Sequence, residues 1–323
     1  MPFGAGHCVG IPSPLEVSLT NLSLSCIFMV FTLVGNILVI MAVVVNPYKD
    51  LRSPFTLLIA NLAVADFLVG ALMEPLSIYI HYRESKGLSI QMAWLSQTTY
   101  FLCCTASLLS LAVLTVDRYL AITRPVWYRA EVSLKRVLLT SLATWVLSMA
   151  ITSLYFLVGF VSYAFMFANV AILSTFLVFI FTYVRVFQIL KEQMENLSAM
   201  EGVNAAAERR HIDREARITQ TYMTVLIVFL ACYVPSCIMI YLMNMCSTCS
   251  CELIHWFRDL QYILVVVNSL INPLVYAIRM PNFRRAILAM FKVSMCCHSN
   301  IVRPPEDLNA STIATQSVFI TTS

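Results

Sequence analysis

The sequence predicts an all-α membrane protein, a bundle of seven transmembrane helices followed by a short amphipathic helix. Three observations predict it. The 323 residues are 59% hydrophobic and only 12% charged, about half the charge that a soluble surface carries. The apolar residues fall into seven stretches, about 22–46, 55–80, 90–123, 136–158, 163–190, 217–243 and 258–278, each long enough to cross a hydrocarbon core of roughly 30 Å. Finally, 18 of the 21 Lys and Arg residues fall in 46–54, 117–136, 185–217 and 279–303. The positive-inside rule makes those segments cytoplasmic, so the N-terminus is outside and the C-terminus inside. The net charge of +4 reflects this asymmetry and not a nucleic-acid surface. Residues 1–21 then form an extracellular N-terminus, 22–297 the membrane domain, and 298–323 a Ser/Thr-rich, disordered cytoplasmic tail. The first 15 residues lack a basic region and an apolar core, so the first span is expected to act as signal anchor.

The first span holds Gly35-Asn36 and is preceded by the sequon Asn21-Leu22-Ser23, which abuts the membrane and leaves little room for a glycan. The second holds Asn61-Leu-Ala-Val-Ala-Asp66. A carboxylate at mid-membrane costs about 2.5–3.5 kcal/mol on the lenient insertion scale, so Asp66 is a functional candidate; the alternative is a hydrogen-bonded or protonated structural carboxyl. Glu74 and Pro75 follow, and Pro75 is expected to kink the helix. In the third span Tyr100, Cys104, Ser107, Leu111, Leu114 and Arg118 recur at steps of three and four and share one face. It ends in Asp117-Arg118-Tyr119, and Pro125 closes it. Val137 to Val184 is 48 residues without Asp, Glu, Lys or Arg. As one helix it would be ~72 Å long, so it must fold back, and Gly159 lies near its middle. Trp145 is read as a packing anchor, and Tyr183 stands near the inner end of the fifth span. The sixth span carries Phe229, Cys232, Tyr233 and Pro235, where the proline breaks the ladder and makes a hinge. The seventh carries Asn268 and Asn272-Pro273-Leu-Val-Tyr276, a second proline hinge flanked by amides. Beyond it, Phe283, Ile287, Leu288 and Phe291 recur at helical spacing among Arg284, Arg285 and Lys292, the pattern of a helix lying on the membrane surface. Cys296-Cys297 suits palmitoylation as a further lipid anchor. Four thiols lie outside, Cys8, Cys246, Cys249 and Cys251, and allow three complete pairings. No nucleophile motif or metal-spaced His/Cys cluster marks an enzyme.

These motifs, in this order on these spans, resemble the rhodopsin-like (class A) G protein-coupled receptors over about 22–297. The resemblance implies a plasma-membrane receptor that passes binding of an extracellular ligand to a heterotrimeric G protein by outward movement of span six. It implies that Arg118 pairs with Asp117 and with Glu215 at rest, that Tyr183 and Tyr276 swing inward on activation, and that Val126 inserts into the G protein. Tyr119, Asn272 and Pro273 complete that inner switch. It further implies a sodium ion held by Asp66, Ser107, Asn268 and Asn272, no organic cofactor, and arrestin and receptor kinases acting on the tail. The candidate ligand pocket is Glu74, Gln97, Tyr100, Phe101, Cys104 and Tyr233. Several positions depart from the family. Ala93 and the Cys-free segment 157–165 lack the usual disulfide, Tyr233 replaces a Trp, Thr175 a Pro, and Tyr100 the aspartate that binds amines. Span seven has no Lys for retinal. The outer features look like the melanocortin, lysophospholipid, cannabinoid and adenosine branch. Cys246-x-x-Cys249-x-Cys251 is similar to the melanocortin third loop, which by resemblance pairs Cys246 with Cys249 and Cys8 with Cys251; the acidic residues that bind melanocortin peptides are absent. The ligand is therefore expected not to be a typical amine. The alternative is a receptor-fold protein that is ligand-independent, constitutively active or partner-modulating. A transporter is disfavoured, since neither an internal repeat nor a charged membrane pathway is present.

Overall fold

The computed structural model describes residues 6–8, 10–173, 177, 180, 184–185, 188–189, 191–192 and 203–301, with the backbone alone for 160–161, 170–172, 203–216 and 292–301. Tyr183 lies outside the described residues, as do the side chains of Glu215, Cys296 and Cys297. The helices are α1 (Leu15–Val45), α2 (Pro54–Ser85), α3 (Ala93–Thr123), α4 (Pro125–Glu131), α5 (Leu134–Ser153), α6 (Tyr155–Val158), α7 (Phe160–Met166), α8 (Val203–Met245), α9 (Cys251–Arg279) and α10 (Pro281–Ile301). No strand occurs among the described residues. Among the described residues, six stretches are long and apolar enough to cross a membrane: α1, α2, α3, Leu134–Val158, Arg217–Met245 and α9. They carry the expected spans one to four, six and seven. The fifth expected span falls largely outside the described residues; its described start is α7 and the π-helical turn Phe167–Ile172.

Local chemistry sets the boundaries. Ser53 caps α2 by accepting the Thr56 N–H at 3.2 Å, with Pro54 in the first turn where its missing N–H costs nothing. Ser133 caps α5 in the same way. Pro125 separates α3 from α4, and Gly159, at φ 78°, separates α6 from α7 in a conformation that glycine adopts without strain. The fold-back expected near Gly159 is thus a helix break at that residue.

The first helix begins at Leu15, seven residues before the start that hydropathy marks. Its first turns bury Val17, Ser18 and Asn21. Asn21 donates to the Val17 carbonyl and to Asp259 Oδ2, both at 2.8 Å, so the sequon side chain is held inside the bundle. At Pro75, where a kink is expected, α2 changes its winding. The turn Val69–Met73 just before it is π-helical, with the Glu74 N–H on the Val69 carbonyl. One extra residue is absorbed there, so Asp66 and Glu74, eight apart, take the phase of residues seven apart. Both can then meet α9, where Ser269, which bonds Asp66, and Tyr262, which lies near Glu74, are seven apart.

Close approach of α1, α2 and α9 rests on two glycines. A Cβ on Gly35 would stand 3.1 Å from Pro273 Cγ, and one on Gly70 would stand 3.0 Å from Leu33 Cγ. Gly35→Val should therefore lower stability by about 1–3 kcal/mol, the usual cost of overpacking. Ile37→Ala, at a side chain 43% exposed to lipid, should leave the thermal unfolding midpoint of the receptor in nanodiscs nearly unchanged. Equal midpoints for wild type and Gly35→Val would contradict the contact.

Candidate functional site

The polar side chains gather in three places along the bundle, all on the helices that face one another. At one end Arg118 of α3 is buried at 3% exposure. Its Nε and Nη2 donate to Asp117 Oδ2 at 2.9 and 2.6 Å, and Nη2 also reaches the Tyr128 hydroxyl at 3.3 Å. Tyr128 of α4 donates to Asp117 Oδ1 at 2.7 Å. The guanidinium lies 4.3 Å over the Phe55 ring of α2. Three helices thus hold one buried cation. Beside it, Tyr222 of α8 donates to Thr115 of α3 at 2.8 Å, tying α8 to α3. A cleft of about 290 Å³ opens at this end between Phe55, Arg217, Thr221, Met280 and Asn282. Val126 is 83% exposed, while Tyr276 is buried and rests against Phe283 of α10 at 6.1 Å between rings.

Asp66 lies mid-bundle and is fully buried. Ser269 Oγ donates to its Oδ1 and Asn272 Nδ2 to its Oδ2, each at 2.7 Å, and the Ser107 hydroxyl of α3 is a further neighbour. Asn36 of α1 donates to the Ser269 carbonyl at 3.2 Å. Asn268 Oδ1 and Asn272 Oδ1 are buried acceptors without a donor. An anionic carboxylate, a hydroxyl and two unpartnered amide oxygens are the donor chemistry of a hard cation, so this set fits sodium. Trp145 donates to Asn61, which donates to Ser110, at 3.0 and 2.8 Å. That chain joins α5, α2 and α3, as a packing anchor should.

The opposite end carries a cavity of about 70 Å³ between α2, α3, α8 and α9. Of the expected pocket residues, Gln97, Tyr100 and Phe101 line it, whereas Glu74, Cys104 and Tyr233 do not. Tyr100 donates to Gln261 Oε1 at 2.9 Å and stacks on Tyr262. Gln97 accepts from Tyr155 at 2.6 Å, leaving its Nε2 buried without an acceptor. Tyr233 lies deeper, stacked on Phe229 with centroids 4.1 Å apart, next to Cys232 and two residues before Pro235.

Sequence reasoning missed the ion cluster at the mouth of this cavity. Arg258 donates to both oxygens of Asp259 and both of Glu84, at 2.6–3.1 Å, while His81 Nδ1 meets Glu84 at 3.2 Å and Asn21 donates to Asp259. The signal was the pair Arg258-Asp259 at the head of an apolar span, where solvent-facing loop charges were the simpler reading. Two disulfides, Cys8–Cys251 and Cys246–Cys249, sit above the cluster; they are the pairs that the resemblance implies. His7 bonds the Cys249 carbonyl and His255 the Ile11 carbonyl, at 3.0 and 3.2 Å, so the N-terminal segment lies across the head of α9.

A family model described as 7 transmembrane receptor (rhodopsin family) matches residues 35–162 and 159–276. The chain belongs to the rhodopsin family of seven-transmembrane receptors. It is a multi-pass membrane receptor and not an enzyme. Among its relatives, Tyramine receptor 1 of Locusta migratoria is 41% identical over 43% of this chain, which spans only 28% of that protein's length. Histamine H2 receptor of Cavia porcellus is 26% identical over 85% of this chain and 80% of its own. Melanocortin receptor 5 of Mus musculus is 28% identical over 83% and 81%. The chain is therefore similar to both amine and melanocortin receptors.

The ion cluster yields a stability prediction. Arg258→Ala leaves two acids buried without their cation, and breaking a buried pair in this way costs about 3–5 kcal/mol. Arg258→Gln combined with Glu84→Gln and Asp259→Asn removes all three charges and should recover most of that loss in thermal unfolding. A single mutant as stable as wild type would show that the cluster is solvated.

Proposed function

We propose that this receptor lies in the plasma membrane with its N-terminus outside, spans it seven times with 163–190 as the fifth span, and couples an extracellular ligand to a heterotrimeric G protein. Cavity and disulfides then face outward, and Arg118 faces the cytoplasm, in agreement with the distribution of Lys and Arg. The helix α10 lies along the inner surface, with Cys296 and Cys297 as palmitoylation sites and the tail after it meeting arrestin and receptor kinases. Ligand binding favours a state in which α8 swings away from α3.

The observation that carries this reading is the buried Arg118. A guanidinium desolvated against Asp117, Tyr128 and the Phe55 ring is a stored charge, exposed when α8 leaves. The Tyr222–Thr115 bond holds the closed arrangement, with Glu215 at the foot of α8 as a second acid for Arg118. Opening widens the cleft lined by Arg217 and Thr221, and the exposed Val126 gives the G protein an apolar contact. Tyr119, Tyr183 and Tyr276 serve the open state; Phe229, Cys232, Tyr233 and Pro235 on α8 and Asn272-Pro273 on α9 are its hinges. Asp66, Ser107, Asn268 and Asn272 hold a sodium ion, which supplies the charge that a desolvated carboxylate lacks.

The ligand is anchored differently from a typical amine, since Tyr100 occupies the aspartate's place and is bound to Gln261. The unpartnered Gln97 Nε2 calls for a hydrogen-bond acceptor on a small, largely apolar ligand. Screening peptides, nucleosides, lipids and amines with cAMP and calcium readouts tests the reading. Arg118→Ala should reduce basal and ligand-driven signalling to the level of untransfected cells at matched surface expression. Glu215→Ala should raise basal signalling about fivefold, as expected for loss of a restraint near 1 kcal/mol. Well-expressed variants with unchanged signalling would refute the switch.

A further inference from the structure

Among the described residues, the buried carboxylates are supplied with donors, with one exception. Asp66 receives two, Asp117 is held by Arg118 and Tyr128, and Asp259 by Arg258 and Asn21. Glu74 is 0% exposed, yet neither carboxyl oxygen has a hydrogen-bond partner. An ionised carboxylate left so costs several kcal/mol, and a protonated one has a hydroxyl whose acceptor must come from the oxygens around it.

Hydroxyl oxygens are among the neighbours of Glu74. Ser25 of α1 is a neighbour, and it shares a 3.0 Å hydrogen bond with Ser77 Oγ in which either hydroxyl can be the donor. Tyr262 of α9 is also close, and spends its proton on the Met73 carbonyl at 2.8 Å, which leaves its lone pairs open. Three helices therefore place hydroxyl oxygens around one carboxylate. The π-helical turn before Glu74 brings it there, and such turns recur at functional sites.

We propose that Glu74, with the oxygens of Ser25, Ser77 and Tyr262, binds a small monovalent cation at a site separate from Asp66. Eight residues of helix put the two carboxylates about 12 Å apart, too far to share one ion. A single carboxylate with neutral oxygens balances one positive charge, whereas calcium takes six to eight oxygens, usually from several carboxylates. Access is from the cavity. Ser77 and Tyr262 line it and Glu74 does not, so the two hydroxyls would pass an ion from the cavity to the carboxylate. The site stands independently of the ligand's identity.

Purified receptor in nanodiscs, titrated with NaCl at ionic strength held by choline chloride, tests the proposal by thermal unfolding and by the 23Na linewidth. In an Asp66→Asn background, sodium should still raise the unfolding midpoint, by about 1 °C at 150 mM for a site half-filled near that concentration, and should still broaden the 23Na line. Adding Glu74→Gln should abolish both effects. If the added Glu74→Gln unfolds the receptor, Ser77→Ala with Tyr262→Phe in the same background removes two neutral oxygens and should weaken sodium binding severalfold. A sodium response that Asp66→Asn abolishes alone would leave the Asp66 site standing and overturn this one. So would a response indifferent to Glu74 and its hydroxyl neighbours, or no sodium response in any variant, the outcome expected of a simply protonated Glu74.

Discussion

In a bilayer a polar side chain cannot turn to water, so it must find a protein partner or remain unsatisfied at a cost of several kcal/mol. That constraint shapes the receptor. Asn21, Ser25 and Asn36 on α1, Asp66, Glu74, Ser77, His81 and Glu84 on α2, and Arg258, Asp259, Tyr262, Ser269 and Asn272 on α9 all face the junction of those three helices. Gly35 and Gly70 let the backbones come close enough for these partners to touch. The extra residue of the π-helical turn keeps the acidic side chains of α2 in register with α9. The result is a polar seam running from the ion cluster under the disulfides to the Asn272-Pro273 hinge.

The seam matters for function because it is continuous with both ends. Its outer members His81, Arg258 and Tyr262 line the cavity. Its deep members surround the hinge of α9, whose final turn packs Tyr276 on Phe283 beside the cleft near Arg118. Hydrogen bonds in a low dielectric are strong and their rearrangement is discrete. A ligand that prefers one arrangement at the cavity therefore biases the other end without any single lever between them.

Much of this was legible in the sequence. The apolar stretches are visible by length and hydropathy, and the buried acid of span two, the aspartate–arginine pair and the two prolines inside helices are visible because each breaks the pattern of its surroundings. Asp66 lies where Asn272 meets it, and Arg118 lies against Asp117. Tertiary partnerships were not legible. Glu84, Arg258 and Asn21 are distant in sequence, and nothing local marks them as one cluster. Glu74 was seen, but a π-helical turn cannot be read from hydropathy, so its direction was not: it points toward α1 and α9 and not into the cavity. Asn21 stood as a sequon just outside the first span, with little room for a glycan, because hydropathy begins the span at 22, whereas the helix starts at Leu15 and buries Val17 and Asn21. Tyr128 and Tyr222, which complete the Arg118 network and tie α8 to α3, lie among ordinary residues and carry no motif.

The central claim is that the polar seam sets the position of α8 relative to α3. Distances by pulsed electron paramagnetic resonance between spin labels at the exposed Gln220 of α8 and the exposed Ala130 of α4, which the Tyr128–Asp117 bond ties to α3, report that position, with Cys26, Cys296 and Cys297 replaced by serine. The account predicts that Asp66→Asn, which alters the seam far from either label, changes the relative weights of the short and long distances. Superimposable distance distributions for the two receptors would contradict it.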